Sequence, residues 1–223
     1  DYLLRDSYYA GVPYGRYDHE WLLENVVPVE QTGSLFLGLE ARASFGFEDF
    51  LLSRYHMFMS VYFHHVPIGY EAMLRRFYGD AEGELVVPSN AEEYLFFDDV
   101  HLFTVLRRSK NEWARRIVER RAYRMLVEVK ETVGDDRVER RASPDLDEVA
   151  LRLEAAGIKV ISHSVQGVLS KYSTPDLFIV EGGRPFPVQE YTPLYRRYAG
   201  AIRMKRIYVD PDRLTAQGIS IGQ

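Results

Sequence analysis

The chain has 223 residues, a formal net charge of −5, and 46% hydrophobic against 27% charged residues, the balance of a globular protein with one large domain or two small ones. It contains no cysteine, which excludes disulfides, thiolate metal centres and a cysteine nucleophile. No apolar run approaches the roughly 20 residues that cross a bilayer as a helix, the acidic balance argues against a chain wrapped broadly on nucleic acid, and a cytoplasmic protein is expected.

Residues 1–10 read as a short helix closed by Gly11 and Pro13. Asp18 is placed to cap a second helix, DHEWLLENV. VVPVE and SLFLGLE read as two strands joined at Thr32-Gly33. A long helical stretch follows, FGFEDFLLSRYHMFMSVYFHHVPIGYEAMLRRFYG, with its bend expected at Pro67. NAEEYLFFDDVHLFTVLRR and NEWARRIVERR read as two further helices. The period then changes. YRMLVEVKE, KVISHSV, DLFIVE and RMKRIYVD read as strands, and SPDLDEVALRLEAAG and PLYRRYAGA as helices, the first stopped by Gly157.

The expected fold is a mainly α-helical lobe over residues 1–120 and a smaller α+β lobe over 121–223. The order of the second lobe is β-α-β-β-α-β, the ferredoxin-like pattern, with one antiparallel sheet drawn from 123–131, 158–164, 176–181 and 203–209. The end of the chain from Thr215 is expected to fray.

Two groupings carry candidate chemistry. Tyr2 and Asp6 are four residues apart and share a helix face; a phenol beside a carboxylate suits a sugar hydroxyl, and the alternative is an acid at a positive helix end. The helix from about Gly46 to His65 is apolar nearly all round, as a helix buried on most sides is, yet Arg54 lies within it. Phe47, Leu51, Arg54, Phe58, Tyr62 and His65 form one stripe at helical steps. A guanidinium followed by aromatic rings suits a nucleotide; the alternative is an Arg paired with Glu48 in a plain core. His64 and His65 are adjacent, with rings expected on different faces and no chelating geometry. Asp98-Asp99 reads as an exposed face or an ion pair. Arg115-Arg116, Arg120-Arg121, Arg140-Arg141 and Arg196-Arg197 read as solvated helix faces, with phosphate or RNA binding as the alternative.

DYLLRDSYYAGV and EDFLLSRYHMFMSVYFHH resemble two stretches of the HD-domain phosphohydrolases: the segment just after their last metal-binding Asp, and their long active-site helix. GVLSKYSTPDLFIV and RRIVERRAYRMLVEV are similar to the C-terminal α+β lobe of bacterial members. The set most resembled is the deoxynucleotide triphosphate triphosphohydrolases, among them the SAM-and-HD-domain dNTPases, and the resemblance spans residues 1–210.

The resemblance implies that the chain is the C-terminal portion of such a protein. The divalent metal (Mg, Mn, Fe or Zn) would then be held by His and Asp ligands upstream of Asp1, with no metal ligand or catalytic group here. It implies that Tyr2 packs on the substrate sugar, that Asp6 accepts its 3′-hydroxyl, that Arg54 holds the triphosphate, and that Tyr62 lies over the sugar or base edge. Phe58 and Phe63 depart from the vertebrate pattern of His and Gln. His64 and His65 fall at allosteric-nucleotide or interface positions. Partners implied are the nucleotide, the missing N-terminal HD half and further copies of the chain. The other reading is a non-catalytic nucleotide-binding or assembly module.

Overall fold

The computed structural model describes residues 1–81, 83–132, 144–168, 177–198 and 201–216. Arg140-Arg141, residues 169–176 of the third motif and the end beyond Ala216 lie outside the described residues. Helix α1 (Tyr2–Ala10) ends at Gly11, whose φ of 67° satisfies the last carbonyls as a left-handed cap. Helix α2 (His19–Glu24) is capped by Asp18, which accepts from the Trp21 N–H at 2.9 Å. Strands β1 (Val26–Gln31) and β2 (Ser34–Glu40) pair antiparallel across Thr32-Gly33. Both turn residues take positive φ, 50° and 76°, the twist a two-residue hairpin needs.

Helix α3 (Ser44–Met57) runs on into a π-helical turn, Phe58–Tyr62. There the Phe63 N–H donates to the Phe58 carbonyl five residues back, at 2.7 Å. The chain leaves the helix at Phe63 and His64, and α4 (His65–Asp80) begins. The bend therefore lies before Pro67, not at it. Pro67 sits in the first turn of α4, where its missing N–H has no intrahelical acceptor to lose. Nor is α3 buried on most sides: Phe47, Leu51, Ser53 and Met57 are buried, while Phe45 is exposed.

The single helix expected after Asn90 is two. Helix α5 (Ala91–Tyr94) stops, and α6 (Asp99–Arg108) restarts because Asp98, in extended backbone, accepts from the His101 N–H at 2.8 Å. Asp98 is thus a cap. Helix α7 (Glu112–Val118) follows, capped by Asn111. The remaining elements are β3 (Arg124–Thr132), α8 (Leu146–Ala155), β4 (Val160–Val168), β5 (Leu177–Glu181), β6 (Arg184–Pro187), α9 (Val188–Tyr191), α10 (Pro193–Tyr198), β7 (Ala201–Val209) and α11 (Pro211–Ala216).

Helices and two small sheets make up the fold: a helical part, interrupted by the β1–β2 hairpin, and an α+β part. The expected four-stranded sheet is not formed. Strands β3, β7 and β4 make a three-stranded sheet in that order. Strand β5 instead joins the other sheet, in the order β1-β2-β5-β6. It runs parallel to β2, with Leu37 opposite Leu177 and Leu39 opposite Ile179, and antiparallel to β6. Leu177, Phe178 and Ile179 are successive buried residues, as a strand covered on both faces requires.

Two compact units are each assembled from several stretches of chain. One holds Asp1–Phe63 with the described residues of Lys130–Arg141 and Val165–Arg203; the other holds His64–Val129 with those of Ala142–Ser164 and Met204–Gln223. In the first unit, Leu39, Ala43, Phe47, Leu51, Leu177, Ile179, Val188 and Tyr195 form one core, so α3 packs on the sheet that β5 completes. In the second, Phe77, Leu106 and Ala114 centre a cluster of α4, α6 and α7. Ile158, Ile207, Val209 and Leu214 centre another against α8. No described helix is long and apolar enough to cross a membrane.

Candidate functional site

In the first unit the N-terminal helix lies against α3 and its π turn, and the two sequence groupings meet there. Four-residue spacing brings Tyr2 and Asp6 to one face of α1, and Arg54, Phe58 and Tyr62 to one face of the long helix. The faces are joined twice. The Arg54 guanidinium donates to the Tyr2 hydroxyl oxygen, and the Tyr62 hydroxyl donates to Asp6 Oδ2 at 2.5 Å. The Arg54 guanidinium also stands 4.8 Å from the Phe58 ring centre and 5.9 Å from that of Tyr2, within cation–π range. The Tyr2 and Tyr62 rings are 6.3 Å apart and Phe58 and Tyr62 5.0 Å. All five side chains are half-buried. Glu48, the alternative partner for Arg54, accepts instead from the Thr192 hydroxyl.

Local packing fixes this arrangement. Leu3 and Ser7 are the buried residues of α1, so Tyr2 and Asp6 turn toward the rim. Gly15 lets the next loop pass close: a side chain there would bring its Cβ within 2.3 Å of the Leu3 carbonyl oxygen and 2.7 Å of Ser7. The buried Ser53 hydroxyl donates to the Arg16 carbonyl at 3.0 Å, tying α3 to that loop. Burial is the main cause that raises the Tyr2 phenol above its ordinary pKa, with Arg54 acting against it. Burial, reinforced by the hydrogen bond to Asp6, drives the Tyr62 phenol far up. Both phenols are therefore neutral near pH 7. The site presents one guanidinium, one acidic side chain and three ring faces, a set that can hold a phosphate, accept from a hydroxyl and pack on a sugar.

The stripe stops at Tyr62 and does not take in His65. Because the chain leaves the helix, His64 and His65 do not project to separate helix faces; their rings lie 4.3 Å apart at an interplanar angle of 34°. His64 Nδ1 accepts from the Val66 N–H at 3.4 Å. His65 lines a separate cavity of about 600 Å³ within the second unit, with Arg116, Arg120, Arg121, Arg124 and Tyr123 among its walls. Its imidazole is pushed below its ordinary pKa by burial, with His64 and Arg206 adding to the shift.

Two of the basic clusters are thus not plain solvated faces. Arg116 is buried, paired with Asp210 and, at 3.3 Å, with Glu112. Arg121 bonds Asp212 at 2.7 Å. Arg120 takes a φ of 56°, an uncommon backbone for a residue with a side chain. Sequence spacing could not find this cavity, since its walls come from α4, α7, β3 and the start of α11. Among the described residues, no group of three or more His, Asp or Glu is placed to hold a metal ion.

The solved structures that resemble this fold are longer proteins. A hypothetical protein from Aquifex aeolicus superposes with a TM-score of 0.72 at 23% identity, over 97% of this chain and 54% of its own. A structure described as a phosphohydrolase from Bacteroides thetaiotaomicron superposes with a TM-score of 0.60 at 18% identity, over 94% of this chain and 60% of its own. Among curated relatives, an uncharacterised protein of Methanocaldococcus jannaschii is 30% identical over 129 residues, 57% of this chain and 28% of its own. The uncharacterised YwfO of Bacillus subtilis is 38% identical over 76 residues, 34% of this chain and 17% of its own. The chain therefore spans just over half the length of the solved relatives and less than a third of the curated ones. The family model described as the HD associated region matches residues 18–160, more than half of the chain, and the chain belongs to that family.

Proposed function

We propose that this chain is the substrate-positioning part of an HD-type, metal-dependent phosphohydrolase that cleaves (deoxy)nucleoside triphosphates to nucleoside and inorganic triphosphate. One observation carries the reading: α1 and the α3–π helix are bridged by Arg54–Tyr2 and Tyr62–Asp6, which sets a cation, an acid and ring faces side by side. In this reading Arg54 turns from the Tyr2 oxygen to the triphosphate. Asp6, held by the Tyr62 phenol, accepts from the sugar hydroxyl, and the Tyr2 and Phe58 rings pack on sugar and base. The divalent ion is assigned to His and Asp ligands of the longer protein, where the resemblance puts them; bound, it would polarise a phosphoryl oxygen. The phosphohydrolase description of the structural relative from Bacteroides supports the hydrolase reading.

The second-unit cavity at His65 suits an anionic effector, since four arginines line it. We assign it a regulatory nucleotide.

The test uses the full-length protein with Mg²⁺ or Mn²⁺ and each deoxynucleoside triphosphate, with products separated by ion-exchange chromatography. Deoxynucleoside and inorganic triphosphate are expected. Release of pyrophosphate, or nucleotide binding without turnover under every metal, would overturn the reading; the second result is what a non-catalytic module gives. An Arg120→Glu variant should hydrolyse normally at saturating substrate yet lose its response to added effector nucleotide.

A further inference from the structure

Helix α6 has two apolar faces, and the fold of its own unit covers one. Leu106 is buried and Leu102 and Val105 pack beside it in the cluster with α4 and α7. The other face, with the turn before it, carries Phe96 (80% exposed), Val100 (73%) and Phe103 (44%). Tyr94 and Leu95, just ahead, are exposed as well. At 100° per residue, Val100 and Phe103 fall within about 60° of arc on α6, with Arg107 between them and Asp99 about 40° beyond Phe103; Phe96 lies in the turn that precedes the helix. Large exposed rings clustered in this way mark an interaction surface and not scattered surface apolars.

We propose that this face of α6 docks on the same face of a second copy of the chain, antiparallel, about a two-fold axis passing at Phe103. Charge placement selects this occupant. The helix carries Asp99 in its first turn and Arg107 and Arg108 in its last. Asp99 lies four residues before Phe103 and Arg107 four residues after it. An antiparallel pair centred on Phe103 therefore sets Asp99 of each copy against Arg107 of the other, about 6 Å along the axis from the centre. A two-fold interface must be self-complementary, and this face is. A parallel pairing would put like charges together at both ends. The two Phe103 rings meet at the axis, with Val100 and Phe96 packing outward.

Sedimentation velocity across a concentration series tests the pairing, with circular dichroism on the same samples. Wild-type protein should self-associate, and Phe103→Asp should raise the midpoint concentration by about 30-fold or more, the loss expected of a central anchor. Asp99→Arg should weaken association about tenfold by facing two arginines, and the double reversal Asp99→Arg with Arg107→Asp should restore it. A folding defect would not give that rescue. Because this chain has no cysteine, Phe103→Cys adds its sole thiol; mild oxidation should give a disulfide dimer, and Leu151→Cys on α8 should not. A wild-type monomer at all concentrations, unchanged association in Phe103→Asp, or a double reversal as weak as the single one would each overturn the proposal; the first would leave the face to a different protein.

Discussion

Arg54 is where a charge, two rings and a hydroxyl meet, and its substitution separates binding chemistry from packing. Arg54→Ala removes a charge-assisted donor aimed at phosphate, and kcat/KM should fall about 100-fold. Arg54→Lys keeps the charge but not the planar fork, so it should recover only part of that loss. Melting temperature, measured on the same samples, discriminates: an early melt with normal turnover per folded molecule would make Arg54 a core residue only. Local spacing made much of this group legible, since Tyr2 with Asp6, and Arg54 with Phe58 and Tyr62, share helix faces by arithmetic. Spacing did not reveal that the two faces meet, which depends on the loop at Gly15. Nor did it show that the helix changes to a π turn at Phe58 and releases His64 and His65 from the stripe.

Several element ends were legible because capping is chemistry within a few residues: Asp18, Thr32-Gly33 and Gly157 each act where the sequence places them, whereas the cap at Asp98 was read through as helix interior. The hairpin partners β1 and β2 were read too, but the partners of β5 were not. Consecutive strands pair about two-thirds of the time; β5 follows that tendency on one edge, with β6, and departs from it on the other by returning to β2. Its burial on both faces leaves no alternation in the sequence to say which sheet receives it. Two glycines test the element packing in opposite directions. Gly15→Ala drives a Cβ into the backbone of α1, which cannot yield as a side-chain tip would, and should cost about 2–4 kcal/mol while loosening Tyr2 and Asp6. Gly79→Ala lies in α4 with nothing within 4 Å of the new Cβ, and should stabilise by about 0.5–1 kcal/mol. Urea titrations of both variants measure the pair; a neutral Gly15→Ala would show that α1 does not rest on that loop.

Across the whole molecule, buried titratable groups bound the pH range of stability. Burial holds His163 and His65 below the ordinary histidine pKa. The unfolded chain binds protons there near pH 6.5 and the folded chain resists them, so stability is present above about 6.5 and is lost as pH falls below it. Tyr2, Tyr17, Tyr62 and Tyr208 are all pushed up, and Tyr123 to about 12, in each case chiefly by burial. The folded chain keeps these protons where the unfolded chain releases them, so stability is full below about pH 10 and falls above it. Melting temperature should form a plateau between those limits, and His163→Gln should flatten the acid side. An acid limb unaltered by that change would place the proton uptake elsewhere.

The parallel pairing of β2 with β5 has a consequence for synthesis. Leu37 meets Leu177, so the hairpin emerges from the ribosome about 140 residues before its neighbour. At about 5–20 residues per second, the β2 edge stands open for roughly seven to thirty seconds, with exposed main-chain donors and acceptors beside Leu37 and Leu39. During that interval the nascent chain is a template for mispairing, and a ribosome stalled before β5 would display an unfinished sheet that a chaperone must cover.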